Sequence, residues 1–351
     1  MSLSSDSLRS ADSAAEPDCS PRTITPTSPR LSAGREQFEF DLNLRHAGMR
    51  RVCLRVEWTG DLSLPALWLA GGISANRHVC ANSVDGAPGW WQDAMGPQRA
   101  LNPQHFCLLA CDWLGADGQL DLPIDSADQA DAIAYVLERL GIVRLHAFVG
   151  ASYGGMVGQQ FAIRHRLRLE RLVSLSAAHR ATPFASAFRA LQRQVVTLGQ
   201  TQCADAVGLS LARQLAMLSY RSADEFAERF DQPAEVRAGR VHCAAEDYLQ
   251  HCGQRYVSQW SATAFLRLSE SIDLHAVVPS QIRVPSHFLA VQGDWLAPAE
   301  WIAACAAEVS APCTVERIES RFGHDAFLKD IDRVDALLHR ALQTLSSEIA
   351  A

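Results

Sequence analysis

The segment 145–155, Leu-His-Ala-Phe-Val-Gly-Ala-Ser-Tyr-Gly-Gly, limits the folds open to this chain more than any other stretch. An apolar run reads as a buried strand. It passes at once into G-x-S-x-G and then into a helix over residues 156–163. A strand-to-helix turn this tight leaves no room for large side chains beside the serine, and Gly150, Ala151, Gly154 and Gly155 supply small ones. Such a turn lifts the Ser152 hydroxyl above the sheet at a helix N-terminus, where the helix dipole favours negative charge.

The runs on either side extend the pattern. Residues 66–70 end in Gly71-Gly72, residues 106–111 end at Asp112, and residues 172–175, 287–291 and 314–318 are further apolar stretches. Continuous runs of this kind suit parallel strands buried on both faces. Residues 37–44 and 52–56 instead alternate, as antiparallel edge strands do. Between two of the runs, Ser126 with Gln129 offers a capping box. Ala130, Ile133, Ala134, Leu137 and Leu140 then share one helical face, and Gly141 stands at the C′ position. Strand, helix and strand in this order imply a right-handed crossover. The fold class is α/β, with a mostly parallel central sheet and helices on both faces. The expected organisation is a disordered tail over 1–35, rich in Ser, Pro, Ala and Asp. The first part of the core follows over 36–177, then a helical lid insertion over 178–281 and the rest of the core over 282–351. Within the insertion, residues 184–196, 204–218 and 222–230 read as helices. Residues 324–345 read as a largely helical closing segment.

With 351 residues and 48% hydrophobic content, the chain can bury a substantial core. A net charge of −7 leaves no footprint for nucleic acid or an anionic membrane. No stretch approaches the roughly 20 apolar residues of a spanning helix, and no basic-then-apolar leader opens the sequence. The ten cysteines form no C-x-x-C and no metal motif, which points to buried small side chains in a reducing cytoplasm.

A serine hydroxyl needs a base, and the base needs an orienting carboxylate. Asp294 follows the returning strand in Val291-Gln292-Gly293-Asp294. His324 follows the last strand in Phe322-Gly323-His324-Asp325. Both fall at the C-terminal edge of the sheet, in the order Ser, Asp, His. His146 reads as a packed core residue and His78 as a loop residue near the site. Two N–H donors are needed for an oxyanion. The amide of Tyr153 is one, and that of Gly72 is favoured for the other, with Ile73 next. The same glycines also suit a plain turn.

With these residues in place, the chain resembles the homoserine O-acyltransferases of the α/β-hydrolase superfamily, from about Pro65 to its end. The likeness is carried by Gly89-Trp90-Trp91 with Met95-Gly96-Pro97, by Gly150–Met156, by Leu191-Gln192-Arg193-Gln194, by Tyr220-Arg221-Ser222 and by Gly323-His324-Asp325-Ala326-Phe327-Leu328. The resemblance implies transfer of a succinyl or acetyl group from acyl-CoA to the hydroxyl of L-homoserine, in methionine biosynthesis. It implies a ping-pong route through Ser152 with His324 as base, no bound cofactor beyond the acyl-CoA co-substrate, and a homodimer formed through the insertion. It also implies that Arg193 binds the amino-acid carboxylate and that Asp325 and Tyr220 help hold the substrate. Read from the residues alone, Arg193 is a plausible bidentate carboxylate partner or a solvated helix arginine, and Asp325 also suits a helix cap. The chain has Ala70-Gly71-Gly72-Ile73-Ser74 where that family usually has His-Ala-Leu-Thr-Gly. Arg321 and Arg77 are candidates for a succinyl carboxylate. L-serine as acceptor, a serine esterase or thioesterase with the same triad, and a non-catalytic relative are the competing readings.

Overall fold

A computed structural model describes residues 31–343. Its centre is an eight-stranded sheet. Two long antiparallel strands, β1 (Ala33–Leu44) and β2 (Gly48–Thr59), form one edge. They are followed by β3 (Ala66–Ala70), β4 (Cys107–Cys111), α1 (Ser126–Arg139), β5 (Ala147–Ala151), α2 (Tyr153–Arg164) and β6 (Leu172–Leu175). A helical stretch then intervenes: α3 (Pro183–Gln202), α4 (Asp205–Tyr220), α5 (Ala223–Arg229), the small hairpin β7 (Glu235–Arg237) and β8 (Arg240–His242), α6 (Ala244–Val257) and α7 (Ala262–Leu274). The chain returns through β9 (Ser286–Gln292), α8 (Ala299–Ala307), β10 (Cys313–Glu319), α9 (Ala326–Lys329) and α10 (Ile331–Gln343). The strand order is β1-β2-β4-β3-β5-β6-β9-β10. Pairing is antiparallel from β1 to β2 and from β2 to β4, and parallel from there on.

The unbroken apolar runs are explained by burial on both faces. In β4, Cys107, Leu109 and Cys111 enter one core while Leu108 and Ala110 enter another. In β3, Trp68 goes to the first core and Leu67 and Leu69 to the second. Ala130, Ile133 and Leu137 of α1 cover one face of the sheet; Val334, Leu338 and Ala341 of α10 cover the other. Each fully buried Leu, Val or Phe contributes about 1.5–3 kcal/mol. Helices α3, α4, α6 and α7 enclose a third, smaller core around Val196, Leu209, Tyr256 and Phe265.

Four expectations need correction. Residues 33–35 belong to β1, not to a tail: Ala33 pairs with Thr59, and Arg35 reaches buried Glu57 at 2.5 Å. Residues 1–30 lie outside the described residues. The cap of α1 is Asp125, whose side chain accepts from Ala127 and Asp128 while Asp128 reaches back to its amide. The Ser126 hydroxyl meets His275 Nδ1 at 2.7 Å instead. The helical stretch contains the exposed hairpin β7–β8, whose turn residues Ala238 and Gly239 both have positive φ. Its three-residue, charged strands carry no apolar signal. Finally, the closing segment is not one helix: it breaks at Asp330 between α9 and α10.

Candidate active site

Ser152 sits at the β5–α2 junction with φ 54° and ψ −120°. That backbone region is costly for any residue with a Cβ and persists only where the surroundings over-determine it. Here the Ser152 amide donates to Leu175 O at 2.8 Å and the Gly154 amide to Gly71 O at 2.9 Å. The flanking glycines are sterically required. A Cβ on Gly150 would lie 2.2 Å from Gly154 O, and one on Gly154 would lie 2.1 Å from Ala70 O.

The other two groups arrive from the ends of β9 and β10. His324 Nε2 lies 2.7 Å from Ser152 Oγ, and His324 Nδ1 lies 2.6 Å from Asp294 Oδ2. A carboxylate only accepts, so Nδ1 carries the proton and Nε2 accepts from the serine hydroxyl. The second oxygen of Asp294 accepts from the amides of Leu296 at 2.9 Å and Ala297 at 3.1 Å, which fixes the carboxylate. Burial on its own lowers the pKa of His324. The Asp294 carboxylate outweighs this through its charge and its hydrogen bond, and Asp325 adds to the effect, so the net pKa stands above the usual 6.5.

Around the hydroxyl is a cavity of about 210 Å³, walled by the elbow, the turn after β3, α3, α4, α6, α7 and the His324 segment. Gly72, Ile73 and Tyr153 line it. As the first residue of α2, Tyr153 has an amide that no carbonyl of its own helix can accept. The Gly72 turn is held by Ala75 N–H and Trp113 Nε1–H, which donate to Gly72 O at 2.9 and 3.0 Å. The Tyr153 ring is buried, and its hydroxyl meets Ser271 Oγ at 2.5 Å.

Asp325 and Tyr220 also line the cavity. Tyr220 stacks on the His324 ring at 6.2 Å. Asp325 Oδ2 is 3.0 Å from Arg221 Nε, close enough for an ion pair although off the hydrogen-bond axis. Burial raises the pKa of Asp325, against the opposing charge of Arg221. Ser222 Oγ donates to Arg321 O, so Tyr220, Arg221 and Ser222 together grip the loop that carries His324.

Three arginines from the sequence reading do not reach the cavity. Arg193 Nη1 is taken by Ser269 Oγ at 2.9 Å and Asp273 Oδ2 at 2.7 Å, on the outer side of α3. Arg321 pairs with Glu228 at 2.7 Å and is more than half exposed. Arg77 pairs with Asp112 at 2.7 Å. His78 is engaged by Glu57 at 2.8 Å and does not line the cavity either. His146 is half-buried, with Nδ1 2.9 Å from Glu170.

Two cations that the sequence reading passed over do line it: Arg189 of α3 and Arg213 of α4. Arg213 makes no hydrogen bond or ion pair among the described residues, and its guanidinium lies over the rings of Tyr256 at 4.8 Å and Tyr220 at 5.5 Å. The signal for it was the helical spacing: Arg213 stands seven residues, two turns, before Tyr220 on the same face.

A family model described as the alpha/beta hydrolase fold matches residues 67–330. The chain is 51% identical, over 95% of its length and 94% of the relative's, to the homoserine O-succinyltransferase of Xanthomonas campestris pv. campestris. It is 30% identical, over 92% of its length and 94% of the relative's, to a homoserine O-acetyltransferase of Thermus thermophilus. The solved homoserine O-acetyltransferase of Bacillus anthracis superposes with a TM-score of 0.80 at 17% identity, covering 89% of this chain and 98% of that one, a likeness of fold. The chain therefore belongs to the homoserine O-acyltransferase family of the alpha/beta hydrolase fold.

Proposed function

We propose that the protein transfers a succinyl group from succinyl-CoA to the hydroxyl of L-homoserine through an acyl-enzyme on Ser152. The observation that carries this reading is the hydrogen-bonded succession Ser152–His324–Asp294 opening into a cavity that also holds Arg213 and Asp325. His324 takes the Ser152 proton as Oγ attacks the thioester carbonyl. The developing oxyanion is met by the amides of Tyr153 and Gly72. The C–S bond breaks, and His324 returns the proton to the departing sulfur. L-homoserine then enters, His324 removes its hydroxyl proton, and the new ester forms as Ser152 recovers its hydrogen.

A free amino acid carries a carboxylate and an ammonium group a few ångströms apart. Arg213 offers the guanidinium for the first. Asp325, a carboxylate that lines the cavity and whose Oδ1 makes no hydrogen bond among the described residues, suits the second. The positive charge of Arg213 also acts on Asp325, so the pair forms a matched receptor for a zwitterion. This favours transfer over simple hydrolysis, which has no use for an amino-acid site. The 51% identity to a homoserine O-succinyltransferase supports the choice of donor and acceptor.

The test is release of coenzyme A with succinyl-CoA and acetyl-CoA, each crossed with L-homoserine and L-serine and with no acceptor. Fast release only with succinyl-CoA and L-homoserine is expected. Equal release without acceptor means a thioesterase, and preference for L-serine reassigns the acceptor. A homodimer is proposed through α3 and α4, whose Leu191, Leu198, Leu211 and Leu218 are exposed. Light scattering that gives the mass of one chain would remove that part of the reading.

A further inference from the structure

The cavity holds more positive charge than an amino acid uses. Arg213 and Asp325 match the two charges of the acceptor, and Arg189 is left over. Its Nε and Nη2 both donate to the same oxygen of Asp273, at 2.8 and 2.6 Å, and Nη2 also reaches Ser186 Oγ at 3.4 Å. Its Nη1 has no hydrogen-bond partner among the described residues. Asp273 is shared, because Arg193 Nη1 takes its other oxygen at 2.7 Å. One carboxylate thus faces two guanidiniums, and the cluster keeps an excess positive charge. Arg189 is only 12% exposed, and its charge is felt at His324, where it opposes protonation, and at Tyr220. An incompletely neutralised, largely buried guanidinium within electrostatic reach of the acyl-transfer centre is a built site for an anion.

Resting on the proposed reaction, we infer that Arg189 receives the terminal carboxylate of the succinyl group and so selects a dicarboxylic acyl donor over acetyl. Asp273 and Ser186 hold the guanidinium by two of its corners and leave the third for the donor. Arg193, the nearby arginine that the sequence singles out, takes no part in contacting substrate. It holds Asp273 in place from behind α3.

The test compares the unaltered enzyme with Arg189→Gln, Arg189→Lys and Asp273→Asn, reading kcat/KM for succinyl-CoA and for acetyl-CoA at fixed L-homoserine, with the KM for L-homoserine alongside. A lost hydrogen bond to a charged group corresponds to roughly a 10- to 100-fold change. Arg189→Gln is expected to lose that factor with succinyl-CoA while acetyl-CoA stays within about threefold. Arg189→Lys is expected to recover part of the loss, and Asp273→Asn, which keeps Arg189, to retain succinyl preference. The KM for L-homoserine is expected to hold throughout. Equal losses with both donors in Arg189→Gln would mean a structural role and overturn the inference, as would unchanged donor preference or a rise confined to the L-homoserine KM. If the unaltered enzyme transfers from neither donor to L-homoserine, it is the proposed function that fails. If it prefers acetyl-CoA, the donor assignment and this inference fail together.

Discussion

His324 Nδ1 lies 2.6 Å from Asp294 Oδ2, although the two residues stand in the loops that follow different strands, β10 and β9. Asp294 fixes the ring in the tautomer whose Nε2 is free to accept from Ser152. Asp294→Asn removes that preference without removing bulk. A loss of about 10⁴ in kcat is expected, with little change in melting temperature. Parallel steady-state kinetics and calorimetry check this; a loss under tenfold would mean that the carboxylate is not needed to orient the base.

The same pair sets the pH dependence. The pKa of His324 is raised, so the imidazole keeps its proton to higher pH than a free histidine, and the neutral base appears only above about 6.5. Reaction with acyl-CoA is therefore expected to rise with pH through a midpoint above that value. The stability gained from the pairing is present below 6.5 and fades as pH climbs through the folded-state value. Asp294→Asn removes the two largest raising effects, its charge and its hydrogen bond, and leaves burial and Arg189, which lower the pKa, opposed by Asp325 alone, so the midpoint should move down. A pH series of kcat/KM on both proteins reads both effects.

Arg213 and Arg193 separate two views of the acceptor site. Arg213 lines the cavity and makes no hydrogen bond or ion pair among the described residues, while Arg193 does not line it and is engaged by Ser269 and Asp273. Arg213→Gln is expected to raise the KM for L-homoserine by roughly 10- to 100-fold. Arg193→Gln is expected to change it by less than about threefold. The reverse ranking, from initial rates at varied L-homoserine, would return the carboxylate-binding role to Arg193.

The elbow gives a steric prediction. A methyl group on Gly150 meets backbone atoms, which cannot swing away. Gly150→Ala is expected to cost about 3 kcal/mol, the upper end for overpacked sites, and to lower the melting temperature. Gly72→Ala is different, since the nearest atoms would be Phe327 Cζ at 3.8 Å and Ser152 Cβ at 4.0 Å. That variant is expected to fold normally and to narrow the space beside the nucleophile. Thermal melts of the two proteins decide the comparison.

The strands were legible because β3, β4, β5, β6 and β9 are buried on both faces, which writes itself as uninterrupted apolar runs. The serine was legible because only small residues survive at its turn. Side-chain direction was not. Arg189 and Arg193 are one helical turn apart on α3 and both pair with Asp273, and the sequence offers no means of knowing that the first lines the cavity and the second does not. The cap of α1 was misread because Asp125-x-x-Asp128 and Ser126-x-x-Gln129 overlap by one residue, and Ser126 was already committed to buried His275. The hairpin β7–β8 escaped notice because its strands are short, charged and exposed.

The most direct measurement is intact-protein mass spectrometry after mixing with succinyl-CoA in the absence of any acceptor. The enzyme is expected to gain the mass of one succinyl group on the peptide containing Ser152, to lose it when L-homoserine is added, and to gain nothing as Ser152→Ala. Turnover with no adduct at any time, or an adduct that persists in Ser152→Ala, would contradict a covalent relay through this serine.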